Sequence, residues 1–188
     1  MSRESSDKAI YDQLAVDYFL KNGWRPAFAV KKRGGYTDVL AMKGKDLAIV
    51  EVKSPQEMSA VKKWDDSKQL SEHLEEEIGD YLQNTRLKVF GLFPERGQPI
   101  EKLYAATVAC QLFRYFHEFE DRAVGYEKVS GGVKLQGIRF NKIPYIVVPT
   151  ENAAELRTAL DAIKKNGYIT SSLTKDGGAI VVARIAYP

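Results

Sequence analysis

The chain has 188 residues, 44% of them hydrophobic and 28% charged, which is ordinary for one globular domain or for one domain with an extension. Its net charge of +3 permits an anionic partner without requiring one. A single cysteine, Cys110, excludes an internal disulfide framework, and His73 and His117 do not complete a zinc site with it. The first residues contain no apolar signal core and no stretch approaches a membrane span, so we expect a cytoplasmic protein without a membrane partner.

The first predicted element is a helix. Residues 5–7 can cap its start, an apolar periodicity continues to Leu20, and Asn22-Gly23 ends it. Asp12 stands out on this helix because its helical neighbours are apolar, namely Ala9, Ala15, Val16 and Phe19. A carboxylate in such surroundings either faces a functional site or carries an unusual free-energy cost.

A strand is predicted from Arg25 to Lys31, and it leads into a basic loop. Three consecutive basic residues, Lys31, Lys32 and Arg33, precede two glycines. Such a loop can bind nucleic-acid phosphates without sequence preference and with strong salt dependence. The alternative is an ordinary solvated turn.

The next segment predicts a β-hairpin, with strands from Tyr36 to Lys43 and from Asp46 to Lys53. The two-residue loop Gly44-Lys45 suits a type II′ turn, since glycine is at its first position. This loop fixes a register in which the facing pairs are Met42 with Leu47, Leu40 with Ile49, and Asp38 with Glu51. Facing residues hold their Cβ atoms about 4.5–5.5 Å apart, and strand alternation puts Lys53 on the same face as Glu51.

Two carboxylates are therefore expected to meet at one end of a hairpin that is apolar on both faces. Such a hairpin lies inside a covered sheet, where an unpaired charge costs several kcal/mol and facing like charges repel. A divalent cation between Asp38 and Glu51 is the simplest relief, with Lys53 balancing the remaining charge. The alternative is a structural Glu51–Lys53 ion pair beside a solvated Asp38.

The remaining pattern alternates helices and strands. We predict a helix from Trp64 to Leu82, a strand from Leu87 to Phe93 and a helix from Glu101 to Asp121. A β-rich section follows, with a hairpin (Tyr126–Val129 and Val133–Phe140), a strand (Tyr145–Val148), a helix (Asn152–Lys165) and a second hairpin (Tyr168–Leu173 and Ala179–Ala186). The change to a β-rich pattern divides the chain into a core, residues 1–123, and a C-terminal extension, residues 124–188. The extension is either a separate domain or part of the same domain as the core.

Asp38, a short spacer and then Glu51-Val52-Lys53 at the end of an apolar strand resemble the PD-(D/E)xK nuclease superfamily, which includes Holliday-junction resolvases and restriction endonucleases. The proline that precedes the aspartate in the family is Thr37 here. The resemblance implies an α/β, restriction-endonuclease-like core of a helix, a three-stranded antiparallel meander, a helix and a strand, followed here by a C-terminal β-rich extension. It also implies that Asp38, Glu51 and the Val52 carbonyl bind Mg²⁺, or Mn²⁺ in its place, and that Asp12 completes the metal site.

The resemblance further implies a metal-dependent endonuclease that hydrolyses DNA, with Lys53 orienting the attacking water. We expect DNA contacts from Lys31, Lys32 and Arg33, and we expect a homodimer because cutting two strands usually needs two sites. One alternative is a non-catalytic nucleic-acid-binding or scaffold module with the same fold. Another, a carboxylate-pair glycosidase, predicts exposed aromatic side chains in a sugar-binding cleft and no lysine beside the acids.

Overall fold

The computed structural model describes residues 3–31, 37–57, 119–125, 139–164, 170–175 and 178–186. The helices bounded within these residues are α1 (Arg3–Lys21) and α2 (Ala153–Lys164), and a 3-10 turn, Thr150–Asn152, leads into α2. The strands are β1 (Arg25–Pro26), β2 (Phe28–Lys31), β3 (Val39–Lys43), β4 (Asp46–Val52), β5 (Phe119–Gly125), β6 (Asn141–Pro149), β7 (Thr170–Lys175) and β8 (Ile180–Ala186). No helix within the described ranges has the length and apolar content needed to cross a membrane.

Six of these strands form one mixed sheet in the order β1-β3-β4-β6-β8-β7, and β2 pairs with β5 in a second, two-stranded sheet. The β4–β6 pair is parallel, and the other neighbouring strands are antiparallel. The protein is therefore α/β. Strands from both sides of residue 123 contribute to the large sheet, and the strands β1, β3 and β4 form an antiparallel meander within it.

The hairpin of β3 and β4 has the predicted register. Leu40 faces Ile49 and Met42 faces Leu47, while Val39 and Val50 form the last pair of the ladder. A type II′ turn requires a positive φ at its first central residue and a negative φ at its second. Gly44, the first, has a φ of +62°, and no described non-glycine residue, Lys45 included, has a positive φ. The predicted turn type is confirmed, and so is the register as far as Val39 and Val50, because both are local properties of the hairpin. The predicted pair of Asp38 with Glu51 lies beyond the end of the ladder.

Helix α1 ends where the sequence predicts, at a left-handed glycine. Gly23 has a φ of +79°, its N–H donates to the Leu20 carbonyl, and the Trp24 N–H donates to the Phe19 carbonyl. These two bonds make a Schellman motif. The Trp24 and Phe19 rings, 5.6 Å apart, supply the apolar contact that accompanies it, and Phe19 also meets the Tyr145 ring of β6 edge-on at 5.1 Å.

The hairpin separates two apolar clusters, one on each face of the sheet. On the α1 side, Ala15 and Phe19 pack against side chains from both hairpin strands, including Val39, Val50 and Val52. The other side buries Met42, Leu47 and Ile49 with Ala27 and Phe140. Burial on both faces agrees with the continuous apolar run of β4. Helix α1 lies along the face that contains Val50 and Val52, so the end of β4 is beside the N-terminal half of α1.

Several predicted strands differ from the structure in their bounds, since β3 begins only at Val39 and β6 extends over Asn141–Pro149. Two predicted elements differ in kind or in pairing. The single strand predicted from Arg25 to Lys31 is divided at Ala27, since β1 pairs with β3 whereas β2 leaves the sheet to pair with β5. The helix predicted to continue to Asp121 is wrong over residues 119–121, which begin β5. Pairing with a strand about ninety residues earlier decided this conformation.

Several predictions lie outside the described residues: the helix from Trp64 to Leu82, the strand from Leu87 to Phe93, and the hairpin residues 126–138. The C-terminal helix and hairpin are confirmed. Helix α2 covers most of the predicted range, and β7 and β8 pair antiparallel.

Candidate functional site

The candidate site lies where β4 ends beneath the first turns of α1. Two hydrogen bonds fix this position: the Lys53 backbone N–H donates to the Val147 carbonyl of β6 (2.9 Å), and the Thr37 side-chain hydroxyl donates to the Val50 carbonyl (2.9 Å). After Lys53 the chain turns at once into a new helix, of which residues 55–57 are described. Helix α1, the end of β4 and the start of this new helix therefore meet at one end of the hairpin.

A capping box starts that helix. The Ser54 N–H donates to Glu57 Oε2 (2.7 Å), and the Glu57 N–H donates to Ser54 Oγ (3.3 Å). This reciprocal arrangement satisfies two backbone N–H groups at the helix start. It also holds the Glu57 carboxylate close to the end of β4.

The Lys8 ammonium group is at the centre of the site. Lys8 is on α1, one turn before Asp12, and its Nζ lies 3.0 Å from Asp38 Oδ2 and 3.3 Å from Asp12 Oδ1. Glu57 Oε2 is 3.6 Å away, and Nζ also donates to the Val52 carbonyl oxygen. Oxygen atoms from three carboxylates and one carbonyl therefore surround a single positive charge, and we call these four residues together with Lys8 the Lys8 cluster.

Asp38 is held by the backbone as well as by Lys8. Its Oδ2 accepts the Val52 N–H at 2.6 Å, so the carboxylate is fixed against the last residue of β4. The alternative in which Asp38 is solvated does not describe this geometry, since the side chain is only 20% exposed and has two donors on one oxygen.

Glu51 and Lys53 form a separate buried ion pair at the end of β4. Lys53 Nζ donates to Glu51 Oε1 at 2.6 Å, and the two residues are only 5% and 8% exposed. The second oxygen, Glu51 Oε2, is buried and has no hydrogen-bond partner in the part of the chain that the structure describes. A buried carboxylate oxygen without a donor costs free energy, so it marks a position where a further ligand would be stabilising.

The electrostatics of the site link the pair to the cluster. Burial raises the pKa of Glu51; Lys53 opposes this, and the negative charge of Asp38 adds to it. Burial also raises the pKa of Asp12, against the opposing effect of Lys8. For Lys8, burial alone would lower the pKa, but the nearby carboxylates outweigh it and raise the pKa above the ordinary lysine value.

The structure brings together most of the predicted site residues but divides them between two cations. Asp12, Asp38 and the Val52 carbonyl contact Lys8, whereas Glu51 contacts Lys53. Among the described residues, no three His, Cys, Asp or Glu side chains form a ready ligand set for a metal ion. In the basic loop, Lys31 is the last residue of β2, and Lys32 and Arg33 lie outside the described residues.

Sequence reasoning missed Lys8 and Glu57, although the sequence contains a signal for each. Lys8 is four residues before Asp12, a spacing that pairs opposite charges on a helix. Ser54 and Glu57 have the capping-box spacing. Neither signal shows that the two side chains meet each other at the end of β4, since this depends on how α1 packs on the sheet.

No family model, no curated protein and no solved structure matches this chain.

Proposed function

We propose that this protein is a metal-dependent DNA endonuclease with a PD-(D/E)xK-like fold. The observation that carries the proposal is the Lys8 cluster, in which three of the four predicted metal-binding groups already surround one cation. The fourth group, Glu51, pairs with Lys53 and has one buried oxygen without a partner among the described residues, and the charges of Asp38 and Lys8 influence its pKa. The donor set consists of carboxylate and carbonyl oxygens, which suit Mg²⁺ and Mn²⁺.

The charge of the site supports a need for a divalent cation. Four carboxylates, Asp12, Asp38, Glu51 and Glu57, face two ammonium groups, Lys8 and Lys53, so the net charge is −2 when all are ionised. A phosphodiester carries a negative charge and would be repelled from such a site. A divalent cation offsets this repulsion and allows the phosphate to approach.

Asp12, Asp38, Glu51 and the Val52 carbonyl would hold the metal ion in this proposal. When bound, Mg²⁺ supplies Lewis-acid polarisation of the phosphate and a bound water of lowered pKa. The chain's contribution is rigidity: Asp38 is fixed by the Val52 N–H, and β4 is held between β3 and β6. Fixed oxygen positions lower the reorganisation needed when charge develops on the phosphate.

Lys53 would orient the attacking water. Its ammonium is held at 2.6 Å by Glu51 and its backbone N–H by Val147, so both ends of the residue are fixed. An ammonium group has three hydrogens to donate, and Glu51 uses one of them here. Lys53 can therefore hold a water or a phosphate oxygen while its contact with Glu51 remains.

The assignment of DNA as substrate rests on the basic loop and the resemblance. The run Lys31-Lys32-Arg33 shortly precedes Asp38 in the chain. Contacts between these basic residues and phosphates would position the DNA backbone near the site. A homodimer would present two such sites to a duplex, one for each strand.

A second candidate function is a scaffold or nucleic-acid-binding module that has this arrangement without chemistry. The observation that favours it is the same Lys8 contact, since an ammonium group that stays in the cluster would replace a metal structurally. The two candidates differ in whether the protein binds Mn²⁺ and cuts DNA.

The test is a cleavage assay on branched, linear duplex and single-stranded DNA with Mg²⁺ or Mn²⁺, with EDTA as the metal-free condition. We expect cleavage only with metal, and a loss of about a hundredfold or more in Lys53→Met. Lys45→Met, an exposed lysine in the hairpin turn, is the matched control and should keep the parental rate. Parental cleavage by Lys53→Met, or equal cleavage in EDTA, would contradict the proposal.

Folding must be checked separately, because Lys53→Met leaves the buried Glu51 without its partner. Breaking a buried ion pair on one side costs about 3–5 kcal/mol, whereas replacing both partners is often neutral. The double variant Glu51→Met/Lys53→Met, which replaces both partners by hydrophobic residues of similar volume, should therefore remain folded, as judged by its melting temperature, and should also be inactive.

A further inference from the structure

The Lys8 ammonium occupies the position that the proposed function assigns to a metal ion. It contacts Asp12, Asp38 and the Val52 carbonyl, and Glu57 adds a fourth oxygen. An ammonium group has only three hydrogens to donate. Lys8 Nζ donates to Asp38 and to the Val52 carbonyl, whereas Asp12 Oδ1 is buried at ion-pair distance and accepts no hydrogen bond among the described residues. The cluster offers more oxygen atoms than Lys8 can satisfy, whereas Mg²⁺ accepts six ligands.

The negative charge of the cluster exceeds the positive charge of Lys8, which favours a cation of higher charge. Lys8 brings one positive charge to three carboxylates, and exchange for a divalent cation raises the positive charge at the cluster by one unit. Glu51 is close enough for the charges of Asp38 and Lys8 to influence its pKa, and its buried Oε2 also has no hydrogen-bond partner among the described residues.

Lys8 is the member of the cluster that can leave. Its side chain is long and flexible, is 26% exposed, and reaches the site from α1. The Val52 carbonyl and the Asp38 carboxylate, by contrast, are tied to the end of β4. Removing the ammonium group therefore requires a change of lysine rotamers and no rearrangement of the sheet.

We propose that Lys8 is a built-in counter-ion of the metal site, and that a divalent cation binds by displacing its ammonium group from Asp12, Asp38 and the Val52 carbonyl. Lys8 keeps the carboxylates together in the metal-free protein and weakens metal binding through competition. The inference rests on the proposed function, which places the metal at these oxygens.

The test is a calorimetric titration of Mn²⁺ into the parent protein, Lys8→Met and Lys21→Met. Methionine keeps an unbranched side chain without the charge, and Lys21 is an exposed lysine at the other end of the same helix. We expect Lys8→Met to bind Mn²⁺ roughly ten- to a hundredfold more tightly than the parent, because no charged hydrogen bond must be broken first. Lys21→Met should bind as the parent does.

The melting temperature gives a second readout of the same variants. Without metal, Lys8→Met should melt at a lower temperature than the parent, because its carboxylates repel one another without a counter-ion. Saturating Mn²⁺ should raise the melting temperature of Lys8→Met more than that of the parent. Equal Mn²⁺ affinity in both proteins would overturn the displacement by Lys8 while leaving the metal site in place. Absence of binding in all three proteins would overturn the proposed function as well.

A measurement on the parent alone covers the case in which Lys8→Met does not fold. The ¹³Cε resonance of Lys8 can be followed by NMR during a titration with Mg²⁺, which is diamagnetic. Displacement predicts that this resonance moves toward those of exposed lysines such as Lys21 as Mg²⁺ saturates the protein. A Lys8 resonance that stays unchanged while Mg²⁺ binds would overturn the inference.

Discussion

Asp38→Asn tests whether the end of β4 is held by charge. The carboxylate oxygen Oδ2 accepts two hydrogen bonds, from the Val52 N–H at 2.6 Å and from Lys8 Nζ at 3.0 Å. A hydrogen bond to a charged group contributes about 1.5–3 kcal/mol and a neutral one about 0.5–1.5 kcal/mol, so neutralising both costs about 2–3 kcal/mol. Relief of the repulsion that Asp38 exerts on Asp12 and Glu51 offsets part of this. We expect a net loss of about 1–2 kcal/mol in the free energy of unfolding.

The assay is guanidinium denaturation with EDTA present, in which a lower midpoint at unchanged slope reports lower stability. Asp17→Asn is the matched control, because Asp17 is an exposed aspartate on α1 that accepts a hydrogen bond from Gln13. Asp17→Asn should lower the free energy of unfolding by no more than about 0.5 kcal/mol. An Asp38→Asn protein as stable as Asp17→Asn would refute the reasoning, since the two bonds of Asp38 would then contribute nothing.

Three further predictions concern pH, the hairpin turn and the core. Burial raises the pKa of Asp12, so the folded state favours the protonated carboxyl and loses stability as the pH rises through that pKa. The stability of Asp12→Asn relative to the parent should therefore increase with pH in metal-free guanidinium titrations, and a decrease would contradict this. Gly44→Ala should lower the free energy of unfolding by about 1–2 kcal/mol, because a left-handed φ of +62° is unfavourable for alanine even though nothing lies within 4 Å of the added Cβ. Lys45→Ala should leave the free energy of unfolding almost unchanged in the same assay. Ile49→Ala should cost about 2–5 kcal/mol by thermal melting, and Leu20→Ala, at a 47% exposed position, should stay near parental stability.

The parts of the fold that the sequence predicts well depend on neighbouring residues. The turn at Gly44, the register it imposes and the end of α1 at Gly23 follow from backbone preferences of a few consecutive positions. The division of the first strand at Ala27 could not be predicted in this way, because it depends on a distant partner, β5. The parallel pairing of β4 with β6 is non-local for the same reason.

The candidate site shows the same division. Strand alternation and hairpin register predicted that Asp38 faces Glu51, but the ladder ends at Val39 and Val50, one residue before this pair. The division of the acids between Lys8 and Lys53 was not predictable, since it requires the position of α1 over the sheet. Asp12 illustrates this point: its apolar neighbours indicated a functional position, but Lys8, one turn earlier, is the neighbour that its carboxylate contacts.

The central claim is that these carboxylates form a divalent-cation site. Anomalous diffraction from crystals of the parent protein grown with Mn²⁺ would locate the metal directly. We predict a peak within coordination distance of Asp38 and the Val52 carbonyl, with the Lys8 side chain withdrawn from both. A map with Lys8 still bound to Asp38 and no manganese peak at this end of β4 would contradict the account.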